Sequence, residues 1–191
     1  MERLKKVAIF ASGSGTNFEA LVTQAEQGNL PVEVVMMVCD KPQAYVVERA
    51  KNHNVKALVL QPKDFACKAD YEQTIVDALM EAEVDFICLA GYMRIVGDTL
   101  LNAFPQRIIN IHPALLPSFK GAHAIDDAFN FGVKVFGVTV HLIDQTVDGG
   151  IILAQRGFEY HGNDRDEVET KIHDIEHVLY PEAVAEFCKS I

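Results

Sequence analysis

Short apolar runs alternate with segments of helical period along most of this chain. Residues 7–11 read as a compact strand. Residues 17–27 read as a helix, closed by Gly28-Asn29-Leu30-Pro31 because glycine and proline end helices. A β-branched strand over 32–39 follows. Residues 44–52 then put Val46, Val47 and Ala50 on one face of a second helix. Residues 55–60 form a third strand, and 70–81 a helix with Ile75, Leu79 and Met80 near one side. Residues 84–90 carry consecutive apolar side chains, the mark of a parallel strand covered on both faces. Beyond that point the alternation is less regular. It gives a short helix over 96–104, a strand over 108–111 and a loop with Pro113, Pro117 and Gly121. A helix around 123–131 and strands over 135–142 and 151–157 come next. The last helical region, 165–187, has Asp164 as its N-cap with Glu167 three residues on, and Pro181 is expected to kink it or start another turn. The pattern predicts one α/β domain over residues 1–191. Its central sheet is mostly parallel with helices on both faces, its N-terminal half Rossmann-like and its C-terminal third irregular.

Composition narrows the class. With 191 residues, 49% hydrophobic and 23% charged, the chain is an ordinary globular one. A domain of this size buries roughly two-thirds of its unfolded surface without a metal or disulfide staple. Cys39, Cys67, Cys88 and Cys188 form no close pair of zinc-ligand or redox type, and Cys39 and Cys88 sit in apolar runs as small core residues. Apolar stretches reach about six residues, far below the ~20 of a membrane span. The charged start Met1-Glu2-Arg3-Leu4-Lys5-Lys6 runs directly into the first strand, without the apolar region of a signal peptide, so a cytoplasmic location is expected. The net charge of −10 argues against nucleic-acid binding, which needs Lys and Arg against phosphates. It leaves room for a small anion in a local pocket.

Two clusters carry chemistry. Ser12-Gly13-Ser14-Gly15-Thr16-Asn17 joins the first strand to the first helix. Its glycines allow a tight turn and close backbone approach, and the N–H groups of Gly15, Thr16 and Asn17 at a helix start suit a phosphate. A tight connection without a ligand is the alternative. The loop matches neither the Gly-Lys-Ser/Thr ending of a P-loop nor Gly-x-Gly-x-x-Gly. Asp40, after the second strand, reads better as a turn residue before Lys41-Pro42 than as a ribose ligand. The second cluster is Asn110-Ile111-His112-Pro113. Asn110 and His112 share one side of a strand, and an amide and an imidazole pointed together can donate to a developing oxyanion. His141 ends a later strand, and Asp144 and Asp148 occupy the loop after it. Asp148, beside Gly149-Gly150, is the carboxylate best placed to orient His112; capping a turn is its alternative. No Gly-x-Ser-x-Gly elbow and no metal-ligand spacing among the histidines is apparent, so no metal is expected. On these residues alone the reading stops at a group transferase acting on a phosphorylated metabolite.

From Val7 to about Phe187 the chain resembles the formyltetrahydrofolate-dependent formyltransferases. The resemblance rests on Gly13-Ser14-Gly15-Thr16-Asn17, Leu89-Ala90-Gly91-Tyr92-Met93-Arg94-Ile95, Asn110-Ile111-His112-Pro113-Ala114-Leu115-Leu116-Pro117 and Asp148-Gly149-Gly150. Glu176-His177 and Tyr180-Pro181 complete it. The later motifs mark the formyltetrahydrofolate users as a group, and the first glycine loop narrows the resemblance to the branch serving purine synthesis. It implies formyl transfer from 10-formyltetrahydrofolate, as co-substrate, to the amino group of glycinamide ribonucleotide. It further implies that Gly15, Thr16 and Asn17 hold the phosphate, Glu176 the ribose hydroxyls, and that Asn110, His112 and Asp148 are catalytic with His141 in support. The pterin would lie against Met93, Arg94, Ile95 and Val96 and the loop holding Ile143 and Asp144. Residues 1–100 would then be a phosphate-binding half and 101–191 a catalytic and folate-binding half, in a monomer or weak homodimer without nucleic-acid or membrane partners.

Two relatives share the later motifs. Methionyl-tRNA formyltransferase adds a C-terminal RNA-binding domain, not expected of an acidic chain ending at Ile191. Formyltetrahydrofolate hydrolase places a regulatory domain before its core and lacks this phosphate loop. An inactive phosphometabolite-binding protein is disfavoured by the presence of both clusters.

Overall fold

Strand β1 (Lys5–Phe10) alternates Val7 and Ile9 toward one apolar cluster with Ala8 and Phe10 toward another, as a period of two requires of a strand buried on both faces. The computed structural model describes residues 3–191; Met1 and Glu2, the first residues of the charged start, lie outside the described residues. The chain continues through α1 (Thr16–Glu26), β2 (Val32–Cys39), α2 (Val46–Asn52), β3 (Lys56–Val59), a 3-10 turn at Pro62–Asp64 and α3 (Lys68–Glu81). It then runs through β4 (Phe86–Leu89), α4 (Asp98–Ala103), β5 (Ile108–His112), α5 (Ala124–Phe131), β6 (Val135–Leu142), β7 (Ile152–Glu159) and α6 (Arg165–Cys188).

The seven strands form one sheet in the order β3-β2-β1-β4-β5-β6-β7. The four pairings from β3 to β5 are parallel; β5 with β6 and β6 with β7 are antiparallel. The sheet is thus mostly parallel, as the pattern predicts. Moving outward from β1 to β3, the chain packs Phe18 and Leu21 of α1 and Val46 and Ala50 of α2 on one face. Returning from β3 to β5, it packs Ile75 and Leu79 of α3 and Leu100 of α4 on the other. Crossovers of one hand produce this division. The order in which strands are added reverses between β1 and β4, and in open α/β sheets ligands bind beyond the C-terminal ends of the strands at such a point.

One local expectation, a new turn starting at Pro181, is corrected, and one short element lies outside the pattern. Helix α6 neither breaks nor restarts at Pro181; it runs unbroken for 24 residues with Pro181 inside. Proline removes one backbone donor, but Leu179, Tyr180, Ala183 and Val184 on either side of it are buried, and such packing sustains a helix past one missing bond. The Pro62–Asp64 turn carries only one short helical turn's worth of residues and no apolar period to betray it. Among the described residues no helix is long and apolar enough to cross a membrane.

Candidate active site

The first glycine loop ends at Gly15, the N-cap of α1, in the left-handed region at φ 75°. A β-carbon there would sit 2.5 Å from Val46 Cγ2, so glycine serves both the turn and the approach of α2. No side chain caps α1, which leaves the first N–H groups of the helix aimed outward beside its positive dipole end. Asn17, in the first turn, donates from Nδ2 to Glu176 Oε2 at 3.1 Å, and its Oδ1 is buried without a protein partner. Glu176 reaches this point from α6. It also accepts from His173 Nδ1 at 2.9 Å, and that bond holds the His173 imidazole above its usual pKa against the opposing cost of burial. A cavity of about 390 Å³ opens alongside, lined in part by Thr16, Thr23, Arg49 and His177.

The second cluster forms where the sheet changes from parallel to antiparallel. The β5–β6 register sets Asn110 opposite His141 and His112 opposite Thr139. Asn110 Nδ2 donates to His141 Nε2 at 3.2 Å, while His141 Nδ1 donates to its neighbour's carbonyl, Leu142 O, at 2.9 Å. His141 is fully buried, and burial lowers its pKa despite the nearby Asp148. A neutral ring with its proton on Nδ1 has a lone pair on Nε2, which takes one Asn110 amide hydrogen and fixes the direction of the other. His112, also buried, donates from Nε2 to the carbonyl of Phe119 at 2.8 Å. Its Nδ1 therefore faces Asp148 Oδ2, 3.6 Å away, and Asp148 Oδ1 lies 3.7 Å from His141 Nε2. Asp148 has φ 48° and accepts from the Gly121 N–H at 2.8 Å. The turn behind it needs Gly150, where a β-carbon would overlap the Leu142 carbonyl.

Met93, Arg94, Ile95 and Val96 form the loop after β4, with Met93 and Ile95 exposed at 68% and 69%. Ile143 follows β6 and donates its N–H to Ile108 O at 3.0 Å. Val96 and Ile143 pack on the same apolar cluster, and Asp144 closes a turn by accepting from the Thr146 N–H. The fold thus brings Asn17 to Glu176, and Asn110, His112, His141 and Asp148 to one another. Asp40 lies in the bend after β2, where it is buried, with Ser12 Oγ donating to Oδ1 at 2.6 Å and Arg94 Nε to Oδ2 at 3.0 Å. Phe119 and Gly121 were invisible as site residues because they act through backbone atoms, which no sequence pattern displays. Glu72 shares the helical face of Ile75 and Leu79 and is buried with them; its place in that apolar period is the sequence signal for it.

The arrangement offers an anion cradle at one end and, at the other, an amide, an imidazole and a carboxylate suited to charge developing at a carbonyl oxygen. The formyl transferase family model matches residues 5–184. The phosphoribosylglycinamide formyltransferase of Bacillus subtilis is 47% identical over 182 residues, covering 95% of this chain and 93% of that one. The glycinamide ribonucleotide transformylase 1 structure from Geobacillus kaustophilus superposes with a TM-score of 0.94 at 47% identity, over 96% of this chain and 98% of that one. Its counterpart from Symbiobacterium toebii reaches 0.96 at 37% identity, over 100% and 90%. The chain belongs to the formyl transferase family and is a formyltransferase.

Proposed function

We propose that this enzyme transfers a formyl group from 10-formyltetrahydrofolate to the amino group of glycinamide ribonucleotide, in cytoplasmic purine synthesis. The observation that carries the choice of substrates is the near full-length similarity to the Bacillus subtilis enzyme. The N–H groups of Gly15, Thr16 and Asn17 take the phosphate, and the Glu176 carboxylate accepts from the ribose hydroxyls. The pterin lies between residues 93–96 and the loop with Ile143 and Asp144. The substrate amine attacks the formyl carbon, a C–N bond forms, and the carbonyl electrons move to oxygen. The free Asn110 amide hydrogen and a proton on His112 Nδ1 stabilise that oxyanion, and the Asp148 carboxylate beside that nitrogen orients the ring. On collapse the bond from carbon to the folate nitrogen breaks. That nitrogen keeps the electron pair and receives the proton given up by the new ammonium, with Asp148 as the relay. The products are the formylated ribonucleotide and tetrahydrofolate, and no metal is invoked.

Residues 1–100 supply the phosphate cradle, and 101–191 the catalytic groups and the later folate loop. All of these groups come from one chain, so a monomer or a weak homodimer suffices. The test is the folate absorbance change with and without the ribonucleotide. Turnover only with both substrates supports the transferase. Deformylation without the ribonucleotide would point to a hydrolase, and silence in both assays would overturn the reading.

A further inference from the structure

Asp40 is a buried carboxylate with no part in the chemistry above. Its two oxygens divide their work. Oδ1 accepts the Ser12 hydroxyl proton at 2.6 Å, and Ser12 Oγ, itself 2% exposed, then accepts the Met93 N–H at 2.9 Å. Oδ2 accepts from Arg94 Nε at 3.0 Å. The Ser12 N–H meanwhile donates to the Gly91 carbonyl at 3.0 Å. The chain leaves β4 through Gly91 at φ 77°, and its next turns are tied through Asp40 and Ser12 to the ends of β1 and β2. At the far end of the loop a second buried carboxylate, Glu72, accepts the Gly97 N–H at 2.7 Å. Between these anchors Ile95 and Val96 make no backbone–backbone hydrogen bond among the described residues, and Met93 and Ile95 turn their side chains outward.

We propose that Asp40, acting through Ser12 and Arg94, is a positioning residue that holds residues 91–97 in the shape in which their free backbone groups receive the pterin. The proposal rests on the reading that this loop takes the folate. A carboxylate suits the task because it accepts from both arms at once. An amide at the same place accepts on one atom and sets an N–H against the donor on the other. A chain of hydrogen bonds running Met93 N–H to Ser12 to Asp40 is also strengthened by the charge at its end.

The test compares wild type, Asp40→Asn, Ser12→Ala, Arg94→Ala and Ile95→Asp by steady-state kinetics, calorimetric titration with tetrahydrofolate, and thermal melts. The loss of one charge-assisted bond should raise the KM for 10-formyltetrahydrofolate about five- to tenfold in Asp40→Asn and in Ser12→Ala. In both, kcat and the KM for the ribonucleotide should stay within about twofold, a split that general loosening of the fold would not give. Adding Arg94→Ala to Asp40→Asn should raise the KM less than the product of the single effects, since the amide then faces only one donor. Ile95→Asp places a charge on the exposed middle of the loop and tests the folate site itself. Normal tetrahydrofolate binding by Ile95→Asp would sink that reading, and the proposal with it. Weak binding by Ile95→Asp beside normal folate KM values in Ser12→Ala and Asp40→Asn would overturn the proposal alone. So would a fall in kcat and a rise in both KM values together. Where Asp40→Asn fails to fold, Ser12→Ala decides.

Discussion

Asp148 can lose its charge with little change of shape. Asparagine tolerates the left-handed backbone found there, and its amide oxygen can keep the bond from the Gly121 N–H. What Asp148→Asn removes is the negative charge facing His112 and the route for the proton. We expect kcat to fall by about 10²–10⁴-fold while the melting temperature moves little; near-normal kcat would remove Asp148 from the proton path. His141 makes a different prediction, about pH. Burial depresses its folded pKa below the unfolded value. On acidification the unfolded chain takes up this proton before the folded one does. The stability linked to His141 is therefore present above the unfolded pKa of about 6.5 and is lost as pH falls below it toward the folded value. His141→Gln should flatten the acid side of a stability–pH curve, and an unchanged acid limb in that variant would contradict the assignment. The protonated ring would also set Nε2–H against the Asn110 amide, so catalysis and stability should decline together in wild type. At this scale the sequence was partly legible: alternation alone puts Asn110 and His112 on one face. It could not show that the Phe119 carbonyl turns Nδ1 of His112 toward Asp148, since that choice is made by a backbone atom seven residues away.

At the scale of elements the junction of α1 and α2 is the most constrained. Gly15 carries the left-handed turn and the contact with Val46 together. Gly15→Ala should cost about 1–2 kcal/mol from the backbone alone, with a further loss from pushing α2 away. A rise in ribonucleotide KM in this variant would therefore mix phosphate binding with displacement of the helix. Adding Val46→Gly, which removes both the Cγ2 and the Cβ contact, separates the two. It should cost less in the Gly15→Ala background than in wild type, by relieving the overlap, and leave the KM raised, because the N–H groups remain misplaced; full recovery of KM would show that the loop acts only through α2. His53 joins the same two helices, its ring nitrogens 2.9 Å from Glu19 and from Glu26. The bond to Glu19 is the largest reason its folded pKa is raised. Its contribution to stability is complete below the unfolded pKa and is lost as pH rises through the folded one. In melts of His53→Gln against wild type the gap should be widest in acid and close in alkali, the opposite of His141. The elements themselves were largely legible because each has a distinct period. The exceptions have physical causes: α6 passes Pro181 on the strength of its buried face, and α3 starts at Lys68, two residues before its apolar period begins.

The whole molecule places its site where no single element could. Strand order is invisible in a pattern of alternating strands and helices, and so is the change to antiparallel pairing that sets Asn110 against His141. Both arise from which apolar faces find each other in three dimensions. A consequence is that the ribonucleotide would be gripped by groups from distant parts of the chain: the start of α1, Glu176 on α6, and the end of β5. The tie between Asn17 and Glu176 spans 159 positions. Helices α1 and α6 and strands β1 and β6 contribute to one apolar cluster. An opening that freed either helix would therefore destroy the ribonucleotide site and expose part of that core. The ligand should then stabilise the protein as a unit rather than one region. At about a hundredfold excess over its Kd it should add about 2.7 kcal/mol to the free energy of unfolding. Native-state amide exchange reads this directly. The slowest amides of β2, separated from β5 and β6 in the sheet by β1 and β4, should gain the same protection as those of β5 and β6. Protection confined to α1 and α6, with β2 unchanged, would mean that the two helices open apart from the sheet, and that the site is a local clamp rather than a product of the whole fold.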